Sequence, residues 1–207
     1  KRFASQAARL VYCGDLGGSS WHRTDSLFAV YNLIRASLPG AALTIISPTN
    51  EEAIRSEIGS TFPNGDELLA HTRFLRTFNA AETAEYLAEA DFGLFSYHEL
   101  QPGSEQYLSD IVLGSKTGEY LAAGLPIIVN RSAKAAAELV IGHKIGMVYD
   151  LRAPAQFTRD LKKILADWQG HSRRARKAAE TLFSADGNAR QYYKIYQQLT
   201  KPNSKTN

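Results

Sequence analysis

The sequence predicts a doubly wound α/β domain: a Rossmann-like parallel sheet of about six strands with extra helices at its C-terminal end. Three observations carry this. Short apolar segments alternate with helix-length amphipathic ones from residue 10 to residue 149. Most of the short segments are apolar throughout, as strands covered on both faces must be. After Asp150 the strand pattern stops and helical periodicity alone continues.

Residues 10–14 (Leu-Val-Tyr-Cys-Gly) read as the first strand, and the turn-rich Gly14-Asp-Leu-Gly-Gly-Ser-Ser20 ends it. Apolar residues at 27, 30, 31, 34 and 38 then predict a helix over 25–37. The unit recurs as a strand over 43–47 with a helix over 51–62, and a strand over 74–78 with a helix over 80–90. A strand over 92–97 leads into a polar loop from 98 to about 114. A helix over 116–123 stops at Gly124, a C-cap glycine, and a strand over 126–130 follows. A helix over 133–141 and a strand over 146–149 complete the sheet, and helices over 153–167, 172–183 and 188–199 lie beyond it.

Residues 1–200 are thus one domain and 201–207 a polar tail. The chain has 207 residues, 44% apolar and 22% charged, enough to bury a core. It begins Lys1-Arg2-Phe3 without a methionine and reads as a fragment of something longer. The net charge of +3 is too small to demand nucleic acid. Residues 151–207 hold 12 of the 24 basic side chains and only 4 of the 21 acidic ones, so the basicity is C-terminal. A single cysteine, Cys13, excludes an internal disulfide framework and a cysteine metal cluster. No apolar run approaches the roughly 18 residues of a membrane span, and the single cysteine makes the cytoplasm the expected compartment.

In an open parallel sheet, ligands bind beyond the carboxyl ends of the strands, here the loops over 14–23 and 98–116. The informative stretch is Gly114-Ser-Lys-Thr-Gly-Glu-Tyr-Leu-Ala-Ala-Gly-Leu-Pro-Ile-Ile-Val129. Ser115 is placed to cap the helix, with Lys116 and Thr117 in a first turn that favours an anion. Lys116 adds a full charge there, and Glu119, one turn deeper, offers a carboxylate to paired sugar hydroxyls. The same spacing also fits a plain i,i+3 surface pair, worth a few tenths of a kcal/mol.

The motif Ser-Lys-x-x-Glu-Tyr-x-Ala-x-Gly-x-Pro followed by an apolar strand closely resembles the donor-site signature of the C-terminal domain of GT-B glycosyltransferases, specifically the retaining GT4 (group 1) family. Residues 81–95, the opening strand and the final Phe183-Ser184 with Tyr193-Lys-Ile-Tyr196 are similar to that family in the same order, over roughly residues 9 to 200. The resemblance implies one half of a GT-B fold that binds a nucleotide-diphosphate sugar without a metal or other cofactor. The sugar would pass to a saccharide or lipid-linked acceptor held by an N-terminal domain outside this sequence. This chain alone would bind donor and not turn over.

By position, Lys116 would be the catalytic cation on the diphosphate, flanked by Ser115 and Thr117, and Glu119 would hold the ribose. Gly14, Leu16 and Gly17 would bring backbone close to phosphate or sugar, and Thr77 and Phe78 would hold the base. The family's first glutamate falls at Ile111, with Asp110 beside it as a substitute. Its usual arginine after the first glycine is Asp15, which leaves Arg23 as a second phosphate cation.

No Asp-x-Asp occurs, which argues against a metal-dependent GT-A enzyme, and the five histidines lack ligand spacing. The run His171-Ser-Arg-Arg-Ala-Arg-Lys177 reads first as a solvated helix face. Its second reading is a contact with anionic lipid at the inner face of the plasma membrane. The competing function is a degenerate or dinucleotide-binding Rossmann-like domain with a structural role, although Gly14-Asp-Leu-Gly17-Gly18 lacks the dinucleotide glycine spacing.

Overall fold

The computed structural model describes residues 7–17, 22–77, 79–97, 111 and 113–200. The chain runs β1 (Arg9–Cys13), α1 (Thr24–Ser37), β2 (Ala42–Ile46), α2 (Glu51–Thr61), α3 (Gly65–Ala70), β3 (Thr72–Leu75), α4 (Ala80–Glu89) and β4 (Phe92–Leu94). It continues with α5 (Lys116–Ala122), β5 (Ile127–Asn130), α6 (Lys134–His143), β6 (Gly146–Tyr149), α7 (Pro154–Ala166), α8 (Trp168–Leu182) and α9 (Ala185–Leu199).

The six strands pair in parallel in the order β3-β2-β1-β4-β5-β6. Side-chain alternation divides the core into two layers. Leu10, Tyr12, Ile128 and Tyr149 face the helices α1, α2, α3 and α7. Val11, Ile127 and Val129 face α4, α5, α6 and α8. Both layers are apolar, which is why the strands read as continuous apolar runs. α9 has no buried residue and leaves Tyr192, Tyr193, Ile195, Tyr196 and Leu199 exposed.

Two strands differ from the sequence expectation. β3 begins at Thr72 and ends at Leu75 instead of spanning 74–78, because Thr72 is buried with its hydroxyl donating to the Leu68 carbonyl at 2.8 Å. β4 ends at Leu94 instead of 97, and one further backbone bond, Phe95 N–H to the Ile128 carbonyl at 2.9 Å, carries the chain past the strand. The six-residue α3 was not expected, since one and a half turns after Pro63-Asn64 are too short for helical periodicity to register.

At the far end of the sheet, Asp91 is 4% exposed and accepts the Arg9 backbone N–H at 2.8 Å and its guanidinium at 3.3 Å. The Trp168 indole N–H donates to the Asp91 carbonyl at 2.8 Å, which ties α8 to β4. Arg9 is largely exposed, so the ion pair itself contributes little. The amide bond is the larger part. Asp91→Ala should therefore destabilise the chain by about 2 kcal/mol, read as a lower urea midpoint with unchanged slope.

Candidate functional site

The winding direction of the sheet reverses between β1 and β4, and the carboxyl ends of these strands open the crevice where an α/β sheet takes its ligand. Three segments meet there: Gly14 after β1, residues 95–97 after β4, and the start of α5. Gly14 has φ +135°, in the region that disfavours any side chain. A Cβ on it would lie 2.6 Å from Lys116 Nζ and 2.7 Å from Cε. The missing side chain is the space that the lysine occupies.

Lys116 is 9% exposed, with Nζ 5.1 Å from the Tyr12 ring centre and 6.0 Å from that of Phe95. Among the described residues its ammonium makes no hydrogen bond or ion pair. The surface-pair reading with Glu119 is thereby corrected: Glu119 is exposed on α5 while the lysine turns inward. Burial pushes the lysine down to about 8, and the neighbouring acidic groups Cys13, Glu119 and Asp15 oppose that shift. His22, 6% exposed and set among Tyr12, Phe95 and Tyr97, is pushed down to about 3 by burial and then by Lys116. It is neutral at physiological pH, and Lys116 is the cation of the crevice. Cys13 is raised to about 11, chiefly by burial, and is an inert thiol.

Tyr120 sets the position of α5. Fully buried, it accepts the Cys13 N–H at 2.7 Å and donates to the Leu94 carbonyl at 3.4 Å, which joins β1, β4 and the lysine-bearing helix. Its ring lies over Gly93, where a Cβ would come within 2.3 Å of Cδ2. At its other end, α5 stops at Gly124, and the Arg176 guanidinium from α8 donates to the Ala122 carbonyl.

The other sequence candidates fall as follows. Ser115 does not cap: it has helical angles (φ −51°, ψ −37°), and its hydroxyl makes no capping bond. The Gly114 and Ser115 carbonyls instead take the Thr117 and Gly118 N–H groups at 2.9 and 3.1 Å in a tight first turn. Those two amides are satisfied, so the charge of Lys116 and not the helix terminus is what this seven-residue helix offers an anion. Thr117 is 1% exposed, and its hydroxyl has no partner among the described residues.

The Leu16 side chain is in the core, and its N–H donates to Asp15 Oδ1 and Thr49 Oγ1, both at 3.0 Å, so its backbone is turned to the protein. Gly17, at φ +129°, donates its N–H to the His22 carbonyl and has open space where a Cβ would be. Arg23 is held by Asp25 in a two-pronged pair at 3.0 and 3.1 Å, half-exposed. Thr77 lies past the end of β3 with its hydroxyl 2.7 Å from that of Thr83. Phe78, Gly18 and Asp110 lie outside the described residues.

Sequence reasoning overlooked Thr49, Tyr97, Tyr120 and Asn130. Tyr120 stands inside the quoted motif, and its position beside Glu119 was the available signal. A groove of about 440 Å³ opens at the ends of β2 and β3, between residues 47–51 and 74–76. Thr49 joins it to the Gly14 loop, donating to Asp15 Oδ1 at 2.6 Å. In the basic run on α8, Arg174 donates to the Lys144 carbonyl behind α6 as Arg176 does to Ala122 behind α5. Two of its cations therefore serve the fold as helix C-caps. Among the described residues no helix is long and apolar enough to cross a membrane.

Solved structures share this fold. Sucrose-phosphate synthase from Thermosynechococcus elongatus matches 93% of this chain and 45% of its own, with TM-score 0.65 and 19% identity. HepE of Anabaena, solved in complex with UDP and glucose, matches 90% of this chain and 48% of its own at TM-score 0.62 and 15% identity. The C-terminal domain of a group 1 glycosyl transferase, LpcC, from Francisella tularensis matches 85% of this chain and 86% of its own at TM-score 0.58 and 10% identity. This chain thus spans less than half of the two longer structures and most of the excised domain. No curated protein matches it in sequence.

The fold is that of the C-terminal half of a GT-B glycosyltransferase. The chain belongs to the family described as glucosyltransferase 3-like, C-terminal domain, whose model matches residues 58–164, just over half of the sequence and inclusive of Lys116 and Glu119.

Proposed function

We propose that this domain binds the donor of a retaining glycosyl transfer, a nucleoside-diphosphate sugar whose diphosphate rests on Lys116. The acceptor, a saccharide or lipid-linked saccharide, belongs to an N-terminal domain outside this sequence, and the domain alone binds without turnover. The single observation that carries the reading is the ammonium of the buried Lys116, pressed against a side-chain-free Gly14 with no hydrogen bond or ion pair among the described residues. A buried cation without a partner costs the fold several kcal/mol, and a ligand that supplies the anion offsets that cost. As the bond from sugar to diphosphate breaks, negative charge grows on the leaving nucleotide, and a preplaced cation in a dry site stabilises it.

The groove at the ends of β2 and β3 offers a place for the base, one loop away from Lys116 through Asp15 and Thr49. Exposed Glu119, one turn along α5, offers its carboxylate to the ribose. Family membership and the UDP and glucose bound by HepE support trying uridine nucleotides first. Calorimetric titration of the chain with UDP and GDP tests the reading, and heatless titrations with both would refute it.

The pH dependence has a definite sign. Free Lys116 loses its proton as pH rises through about 8, whereas bound diphosphate favours the ammonium. Binding above that pH therefore takes up a proton, and the dissociation constant should rise by up to about tenfold per pH unit. Titrations at pH 7 and 9.5 check it.

A further inference from the structure

We infer that Tyr97 is a positioning residue for Lys116, holding the start of α5 through Gly114 and the end of the first loop through His22. Tyr97 is 7% exposed and lies past the end of β4, yet it is bolted to the sheet. Its N–H donates to Asn130 Oδ1 at 3.1 Å, and its carbonyl accepts from Asn130 Nδ2 at 2.9 Å. The amide of Asn130 thus makes both bonds that a neighbouring strand would make, and it also donates to the Ser132 hydroxyl.

From this fixed point the phenol reaches two ways. Its hydroxyl accepts the Gly114 N–H at 3.1 Å, and a Cβ on Gly114 would stand 2.9 Å from that oxygen, so a glycine is what allows the approach. Its ring lies 4.4 Å from the His22 ring and 5.5 Å from that of Phe95, and the backbones of residues 22 and 97 form an antiparallel bridge. Gly114 stands two residues before Lys116. The hydroxyl therefore ties the root of the lysine to the sheet at the near end of α5, as Tyr120 ties its middle. Without that tie the ammonium loses its fixed distance from Gly14. A merely structural tyrosine would affect stability and leave the environment of Lys116 alone.

This assignment deepens the donor reading without depending on it, since the environment of the ammonium can be followed with no nucleotide present. The probe is the NMR titration of the Lys116 Cε and Hε resonances in the wild-type chain, assigned with Lys116→Met, and in Tyr97→Phe. The groups that face the ammonium are Cys13 and Asp15 on β1 and its loop, His22, and Glu119 on its own helix. In Tyr97→Phe the midpoint should rise from about 8 toward the ordinary lysine value by about one unit as the ammonium gains water. UDP should bind about tenfold more weakly, the weight of one positioning hydrogen bond.

Gly114→Ala, which crowds the same hydroxyl from the other side, should move the midpoint in the same direction and decides the matter if Tyr97→Phe does not fold. A midpoint that stays in place, whatever the melting temperature does, overturns the assignment. A shifted midpoint in a chain that binds neither UDP nor GDP supports the positioning role and refutes the donor reading.

Discussion

Lys116→Met should weaken UDP or GDP binding by about 100-fold while leaving the melting temperature equal to or above that of the wild type. The two halves of this expectation come from one fact. The lysine is 9% exposed, lies between Gly14 and two aromatic rings, and makes no ion pair among the described residues. Methionine keeps the apolar stem in the same channel and deletes the charge, so the cost of burying an unpaired cation disappears. What is lost is a charge-assisted contact with phosphate in a dry crevice, about 2.7 kcal/mol and hence about two decades in affinity.

The pH behaviour separates the same causes. The fold depresses the lysine to about 8 from 10.5, so the unfolded chain binds the proton more tightly, and stability attributable to Lys116 rises across that window. Lys116→Met should flatten this rise. A lysine kept for structure would give the opposite pattern, with lost stability and intact binding. Calorimetric titration and thermal unfolding of the two proteins distinguish the cases.

Gly93→Ala should lower stability by about 3 kcal/mol and the melting temperature by about 10 °C. The added carbon would meet three atoms of the Tyr120 ring at 2.3 to 2.8 Å. The ring has no easy retreat, because its hydroxyl is held between the Cys13 N–H and the Leu94 carbonyl and the residue is fully buried. Either α5 shifts, carrying Lys116 with it, or β4 parts from β1. Gly93→Ala combined with Tyr120→Ala should cost less than the sum of the two single changes, since each relieves the contact that makes the other harmful. Chemical denaturation of the four proteins gives the coupling directly.

Much of the fold was legible because it depends on local signals. Gly124 ends α5 and the apolar run after Pro126 is β5, as a C-cap glycine and a buried strand should be. The helices after Asp150 were readable for the same reason. Of the candidate residues, Lys116 and Gly14 stand out in the sequence singly, and the structure brings the two together. It was not legible where a role depends on a partner far along the chain: Asn130 imitates a strand for Tyr97 across 33 residues, and Tyr120 reaches Cys13 across 107. Ser115 failed as a cap for a related reason. The tight turn from Gly114 fills the first amides with backbone carbonyls, and no sequence pattern announces that turn.

The Arg176 bond to the Ala122 carbonyl spans 54 residues and sits on the packing of α8 against α5. Its consequence lies in the order of biosynthesis. β1, β2 and β3 and their helices can assemble as soon as they leave the ribosome, since their contacts are near in sequence. The helix that carries Lys116 has to wait for α8. Until then its apolar side has no cover and its lysine is an ordinary solvated one. The crevice around Lys116 is thus a late product of folding, and a chain halted before residue 176 would hold its residues without the shape that brings them together.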